Sequence, residues 1–211
     1  MLFLFFSALA VGFSGAMMPG SLLTYTIGQA LESGPRSGFI ITAGHAVLEL
    51  FLIIFIFLGF NLVLQSSAAQ IGIGLIGGLY LIYMGWDMIY SSAKNKLKLE
   101  ADQSKSSSRN MFISGMVISA ANPYFLLWWA VIGLGFIMQS FSAYAVTGVV
   151  IYYLGHITAD FIWYGLVSIV VGKTRQFIKE KPYRLIIAAL GCLLIYFGST
   201  FVYGAILKII T

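Results

Sequence analysis

Two short stretches carry ionisable side chains into otherwise apolar sequence. Gly44-His45-x-x-x-Glu49 recurs 111 residues later as Gly155-His156-x-x-x-Asp160, and these copies hold both histidines of the chain. A histidine and an acid four residues apart share one helix face, so each pair can act as a unit. An unpaired charge in a bilayer costs on the order of several kcal/mol, so these carboxylates must be paired, wet or protonated. Three chemistries fit. A carboxylate beside a histidine can take up and release a proton as its site alternates between two faces of a membrane. Two imidazoles and two carboxylates can supply four nitrogen and oxygen ligands to a divalent transition metal. Each pair can also be a structural clasp between helices. The symmetric duplication favours a functional role.

The elements that must position these groups are membrane helices. Of 211 residues, 60% are hydrophobic and 9% charged, and the mean hydropathy is +0.94, which places the chain outside the soluble globular class. A bilayer core of about 30 Å needs roughly 20 apolar residues per helix. Apolar runs near residues 2–31, 37–61, 69–92, 110–138, 142–172 and 184–208 predict six transmembrane helices. The first run has no basic leader and meets no small-residue cleavage site before Glu32, so it is expected to stay in the mature chain. Cys192 has no second cysteine to pair with.

The net charge of +5 does not point to nucleic acid, because the basic residues lack interleaved aromatics and cluster at the ends of apolar runs. They set topology instead. With six spans, the basic residues from Arg36 to Arg184 fall on one side and only Lys208 on the other. The positive-inside rule then places the basic loops in the cytoplasm and both termini outside, in a multi-pass protein of the inner membrane. A five-span alternative, with the first run lying in the interface, would split these residues across both sides.

The duplication extends further. Gly78-x-x-x-x-Tyr83-x-Gly85-x-x-x-x-Tyr90 reappears with the same spacing as Gly191-x-x-x-x-Tyr196-x-Gly198-x-x-x-x-Tyr203, and Pro19 corresponds to Pro123. Residues 1–93 read as one three-helix repeat, 94–109 as a polar cytoplasmic linker, and 110–211 as the second repeat. Three spans per half is an odd number, so the halves must be inverted relative to each other. The fold class expected is an all-α membrane protein of two inverted repeats with broken first and fourth helices.

The breaks are expected at Pro19-Gly20 and Asn122-Pro123, because proline removes a backbone donor and clashes with the preceding turn. Backbone groups freed there must face protein or a wet cavity. Matched interrupted helices in two halves point to a midplane binding site built from Pro19, Gly20, Ser21, Asn122 and Pro123. Freed carbonyls near Met18 and Ala121 could hold a substrate ammonium, and amides after Gly20 and Pro123 its carboxylate. From Arg36 to Glu49, and from Asp160 to Lys173, there are 13 residues, so both acids lie about 20 Å above the same boundary. Helix breaks and acids are therefore expected in one layer, with His45, Glu49, His156 and Asp160 as proton-coupling groups or, alternatively, as metal ligands.

Other features read more plainly. Asp87 could assist gating but is expected rather to cap or pair with a basic residue of a neighbouring loop, and Tyr90, Tyr183 and Trp128-Trp129 to anchor the interface or pack the bundle. Gly74-x-x-x-Gly78 permits close helix contact, within the bundle or between subunits of a homo-oligomer. The chain has no His-Glu-x-x-His, Gly-x-Ser-x-Gly, P-loop or paired cysteine motif, so neither an enzyme, a cofactor nor ATP coupling is indicated.

The stretch MPGSLLTYTIGQALESGPRSGFIITAGHAVLELFLIIFIFLG from Met18 to Gly59, followed by GGLYLIYMGWDMI and NPYFLLWW, resembles the LysE/RhtB family of amino-acid exporters. The resemblance covers nearly the whole chain. Pro19-Gly20, Asn122-Pro123 and Asp160 match the family pattern, and some members carry an acid where Glu49 stands. Ser21 replaces the proline many members have there, and the doubled His-x-x-x-acid pattern departs from well-known amino-acid exporters. The resemblance implies proton-driven export of amino acids or close derivatives, with the bilayer, the substrate and protons as partners. Related families move divalent metals, which keeps the metal alternative open, although the inner loop lacks the His or Cys clusters of metal capture.

Overall fold

In the computed structural model, residues 1–17, 20–58, 66–93, 107–177 and 180–210 are described, and their regular structure is entirely helical. The elements are α1 (Leu2–Ala16), α2 (Ser21–Ser33), α3 (Ser37–Phe57), α4 (Ser67–Ala93), α5 (Ser108–Ala120), α6 (Pro123–Trp128), a π-helical turn (Trp129–Gly133), α7 (Leu134–Thr174) and α8 (Glu180–Ile210). Pro19 and most of the predicted linker, residues 94–106, lie outside the described residues, as do the side chains of Pro123 and Tyr183.

Among the described residues, α3, α4, α7 and α8 contain segments long and apolar enough to cross a membrane. The pair α1 and α2, bent by 80° between Ala16 and Ser21, makes up to five such spans. This is fewer than the six apolar runs predict, and α7 accounts for the difference. It joins the end of the fourth run to the whole of the fifth, but helical geometry fails inside it at Tyr144 (φ −144°, ψ 18°) and Ala145 (φ 51°, ψ −144°). A positive φ is uncommon for alanine and marks a turn. Gly148 sits against the Ser140 carbonyl eight residues earlier, a separation that a straight helix would stretch to about 12 Å. The chain therefore doubles back at Tyr144-Ala145, and α7 has two arms.

The fourth run is interrupted as its sequence predicts. Helix α5 ends at Ala120, and after Ala121 and Asn122 the chain restarts with Pro123 as the first residue of α6, where a missing N–H costs nothing. Leu126 N–H donates to the Asn122 carbonyl at 3.3 Å. In the first run, Gly20 is the N-cap of α2, and its carbonyl accepts the Thr24 N–H at 3.0 Å.

Lipid supplies no hydrophobic drive between helices, so association depends on close backbone packing at small residues. Helices α4 and α8 pair along their length in this way. Gly78 faces the Gly198 carbonyl and Gly198 faces the Gly78 carbonyl, while Gly85 and Gly191 face each other's carbonyls in the same manner. Any Cβ at these positions would overlap backbone. The Gly74-x-x-x-Gly78 motif is thus used inside the bundle, with Gly74 against Ala205. Elsewhere Gly44 on α3 lies against the Phe112 carbonyl of α5, and its counterpart Gly155 on α7 lies against the Phe5 carbonyl of α1. Each His-bearing helix packs on a helix from the other half.

One end of the bundle is closed by arginines. Arg175 Nη1 donates to the carbonyls of Leu31 and Glu32 at 3.1 and 2.6 Å, and Arg184 Nε donates to the Ser92 carbonyl at 2.7 Å. Guanidinium groups suit helix C-termini, where carbonyls lack intrahelical partners and the dipole is negative. Leu31, Ile187 and Leu190 pack together beneath them, joined by Met88 and Val171.

Candidate functional site

Each His-acid pair keeps the i, i+4 placement its sequence dictates, and the crossing of α3 with the second arm of α7 brings the two pairs together. His45 Nε2 lies 3.1 Å from Glu49 Oε1, and His156 Nε2 lies 3.2 Å from the same oxygen. Trp129 Nε1 donates to it as well, at 3.1 Å. Glu49 is 1% exposed, and His45, His156 and Asp160 are also buried. One carboxylate oxygen thus gathers three nitrogens from three segments of the chain. Charge-assisted hydrogen bonds of this kind are the strong ones, and they make burial of the carboxylate tolerable.

The second pair is looser. His156 Nε2 is 3.7 Å from Asp160 Oδ2, beyond hydrogen-bond reach. Among the described residues, Asp160 Oδ2, His156 Nδ1 and Glu49 Oε2 are buried without a hydrogen-bond partner. Buried polar atoms are rarely left so, and a cluster of them is a place where a ligand, ion or water belongs.

Ser119 Oγ lies 2.8 Å from the Gly115 carbonyl and 2.7 Å from His45 Nδ1. A hydroxyl has one proton: given to Gly115, it leaves His45 to donate at Nδ1, and given to His45, it leaves Nε2 to donate to Glu49. Either way Ser119 holds the imidazole with Nε2 turned to Glu49 Oε1.

These groups line a cavity of about 410 Å³, inside the range of small-molecule sites, roughly 300–1,000 Å³. Gly20, Ser21 and Asn122 line it too, so four residues of the predicted ionisable layer and three flanking the predicted helix breaks share one space. Ser21 is 1% exposed, and its Oγ has no partner among the described residues. The α2 amides from Ser21 to Leu23 have no acceptor within the helix, and Gly20 offers no side-chain cap. Pro123 opens α6 beside the cavity without its side chain being described. The Ala121 carbonyl, which the sequence offers as a cation ligand, packs against Gly77 of α4 instead, and Ala121 does not line the cavity.

Asp87 is exposed on α4, outside the cavity, and makes no ion pair among the described residues. The basic residues of the loop that follows α4, within 94–106, lie outside the described residues. Sequence reading missed Ser119 and Trp129. A serine three residues before Asn122 in an apolar run was an available signal for the first. Trp129 reads as an interface anchor or packing residue, yet it is 0% exposed and bonded to Glu49. The π turn that begins at Trp129 aims it, and nothing local announces such a turn, although π turns recur at functional sites.

His45, Glu49 and Asp160 offer ligand atoms that all lie within 4.8 Å of one another, a spacing that a metal ion could use. The rest of the wall is apolar and aromatic, with Phe125 edge-on to His45 and Trp128 against His156. The arrangement can therefore hold a proton, orient a small polar group, and surround an organic molecule.

The chain is 24% identical over 207 residues, 98% of its length and 99% of the relative's, to the "Putative amino acid efflux protein YcgF" of Bacillus subtilis. It is 26% identical over 133 residues, 63% of its length and 64% of the relative's, to the "Chemotactic transduction protein ChpE" of Pseudomonas aeruginosa. No solved structure gives a significant match. Residues 13–205 match the family model of the LysE type translocator, and the chain belongs to that family.

Proposed function

We propose that this chain exports amino acids or close derivatives across the cytoplasmic membrane by proton-coupled alternating access. The observation that carries the reading is one cavity joining residues of both helix breaks to both His-acid pairs, with a free oxygen on each acid. Membership of the translocator family and a relative named for amino acid efflux support the same class of cargo.

The inverted-repeat architecture of six spans is the second part of the proposal. The doubling back at Tyr144-Ala145 supports separate fourth and fifth spans. Exchange of partners between halves, and the reciprocal glycine contacts of α4 and α8, are what a pseudo-twofold axis in the membrane plane would produce. The arginine-closed end supports a cytoplasmic face there, with both termini outside.

In this mechanism the substrate ammonium lies between Glu49 Oε2 and Asp160 Oδ2, and its carboxylate meets the first amides of α2 and Ser21 Oγ. Asp160 takes ammonium and proton in alternation, since one oxygen cannot serve both. His45 and Glu49 share a second proton. Rocking of the halves about the site opens it to each face in turn. In proteoliposomes, Glu49→Gln and Asp160→Asn should each abolish efflux driven by a pH gradient while the protein still folds. Efflux at the unaltered rate in both variants would sink the coupling assignment.

A second reading, divalent-metal export, draws on the spacing of His45, Glu49 and Asp160. Ser119 holds His45 by Nδ1 and leaves Nε2 toward the cluster, as outer-shell partners of metal ligands do. Calorimetric titration with Mn²⁺ and Zn²⁺ separates the readings: tight binding lost in both His45→Ala and His156→Ala would favour the metal.

A further inference from the structure

Among the described residues, the cavity's polar atoms that lack a partner stand in two places, while Ser119, Asn122 and Tyr164 also lie on its wall. One is the start of α2, with the partnerless Ser21 Oγ; the other is the pair of free oxygens on Glu49 and Asp160. An amino acid backbone, one carboxylate and one ammonium, uses both places and leaves no further charge to satisfy. The cavity's apolar wall includes Leu22, Leu23, Phe125, Trp128, Phe197 and Phe201. No Lys or Arg is among the described residues lining the cavity.

Building on the exporter reading, we infer that the cargo is a neutral amino acid with a bulky aliphatic or aromatic side chain, of the class of leucine and phenylalanine. A basic cargo needs a second anion some way from the first. The ligand atoms of Glu49 and Asp160 lie within 4.8 Å of each other, closer than the two ammonium groups of an extended lysine, and no other acid lines the cavity among the described residues. An acidic cargo needs a second cation, and the Nε2 atoms of both histidines are already turned to Glu49. A small hydroxylated cargo would leave the apolar wall of Leu22, Leu23, Phe125, Trp128, Phe197 and Phe201 unfilled. A large apolar side chain matches the wall in chemistry and fits a cavity of about 410 Å³. Aromatic rings at Phe125, Trp128, Phe197 and Phe201 add edge and face contacts for an aromatic cargo.

The test is counterflow in proteoliposomes of the purified full chain, loaded in turn with phenylalanine, leucine, threonine, lysine and glutamate. Phenylalanine and leucine should exchange roughly tenfold faster than the other three, the discrimination that differences of a few methylenes give in an apolar pocket. Phe197→Ala should narrow the advantage of phenylalanine over threonine several-fold. Thermal stabilisation of the unmodified protein by the same five amino acids gives a readout that needs no variant. If lysine, glutamate or threonine exchanges as fast as phenylalanine, the side-chain class is overturned while the exporter reading stands. If no amino acid exchanges or stabilises and Mn²⁺ does, both fall.

Discussion

His45-Glu49 and His156-Asp160 are copies of one pattern, yet the structure treats them differently. In the first copy Glu49 Oε1 accepts from Trp129 and faces both histidines, and His45 is held from behind by Ser119. In the second, Asp160 Oδ2 is 3.7 Å from its own histidine, and His156 has no partner at Nδ1 among the described residues. Aspartate is one methylene shorter than glutamate, and Asp160 Oδ2 makes no hydrogen bond among the described residues. Two acids thus share one cavity, one as a bonded hub and the other with a free oxygen. In the proposed mechanism the hub holds the helices together and the free group exchanges proton and substrate.

The sharpest way to break this contrast is Glu49→Leu, which strips three nitrogens of their shared oxygen in a dry site. Removing one partner of a buried charged network costs about 3–5 kcal/mol, so the variant should lose a large part of its thermal stability and all transport. Retention of the parent Tm would show that Glu49 is no hub. Gly44→Val comes next, since its side chain would meet the Phe112 backbone, and overpacking costs roughly 1–3 kcal/mol; detergent melting curves measure it. Trp129→Phe removes a single interhelical donor, for a loss of about 1 kcal/mol in a membrane bundle. That variant should keep its fold and slow efflux several-fold, and a wild-type rate would place Trp129 outside the coupling machinery. Asp160→Asn should change stability least, by less than about 1 kcal/mol, because no hydrogen bond to Oδ2 is lost. It should nevertheless lose pH-driven efflux. An Asp160→Asn variant as unstable as Glu49→Leu would erase the distinction between the copies.

Much of this molecule was legible in its residues. Apolar runs flanked by basic clusters, prolines at matching places and two His-x-x-x-acid pairs pointed to a helical membrane protein with an ionisable layer beside broken helices. The helical character, the break before Pro123 and the shared face of each pair are found because their causes are local: long apolar runs favour helices, proline breaks its own helix, and i, i+4 spacing fixes a shared face. The reversal at Tyr144-Ala145 was harder to foresee in form, since neither residue is a proline or glycine that would announce a turn.

What only the tertiary structure decided is which copy does what. The two pairs have the same spacing, and no property of either one alone says that both histidines turn to Glu49 and away from Asp160. That choice depends on how α3 and α7 cross, on a π turn that aims Trp129, and on Ser119 reaching His45 from α5. Hydrogen bonds are made or lost over a few tenths of an ångström, and that distance is set by packing between segments 70 to 110 residues apart in the chain. The sequence determined that a histidine and an acid would share one face on each of two helices; the fold determined that the two pairs would meet and which acid would keep an oxygen free.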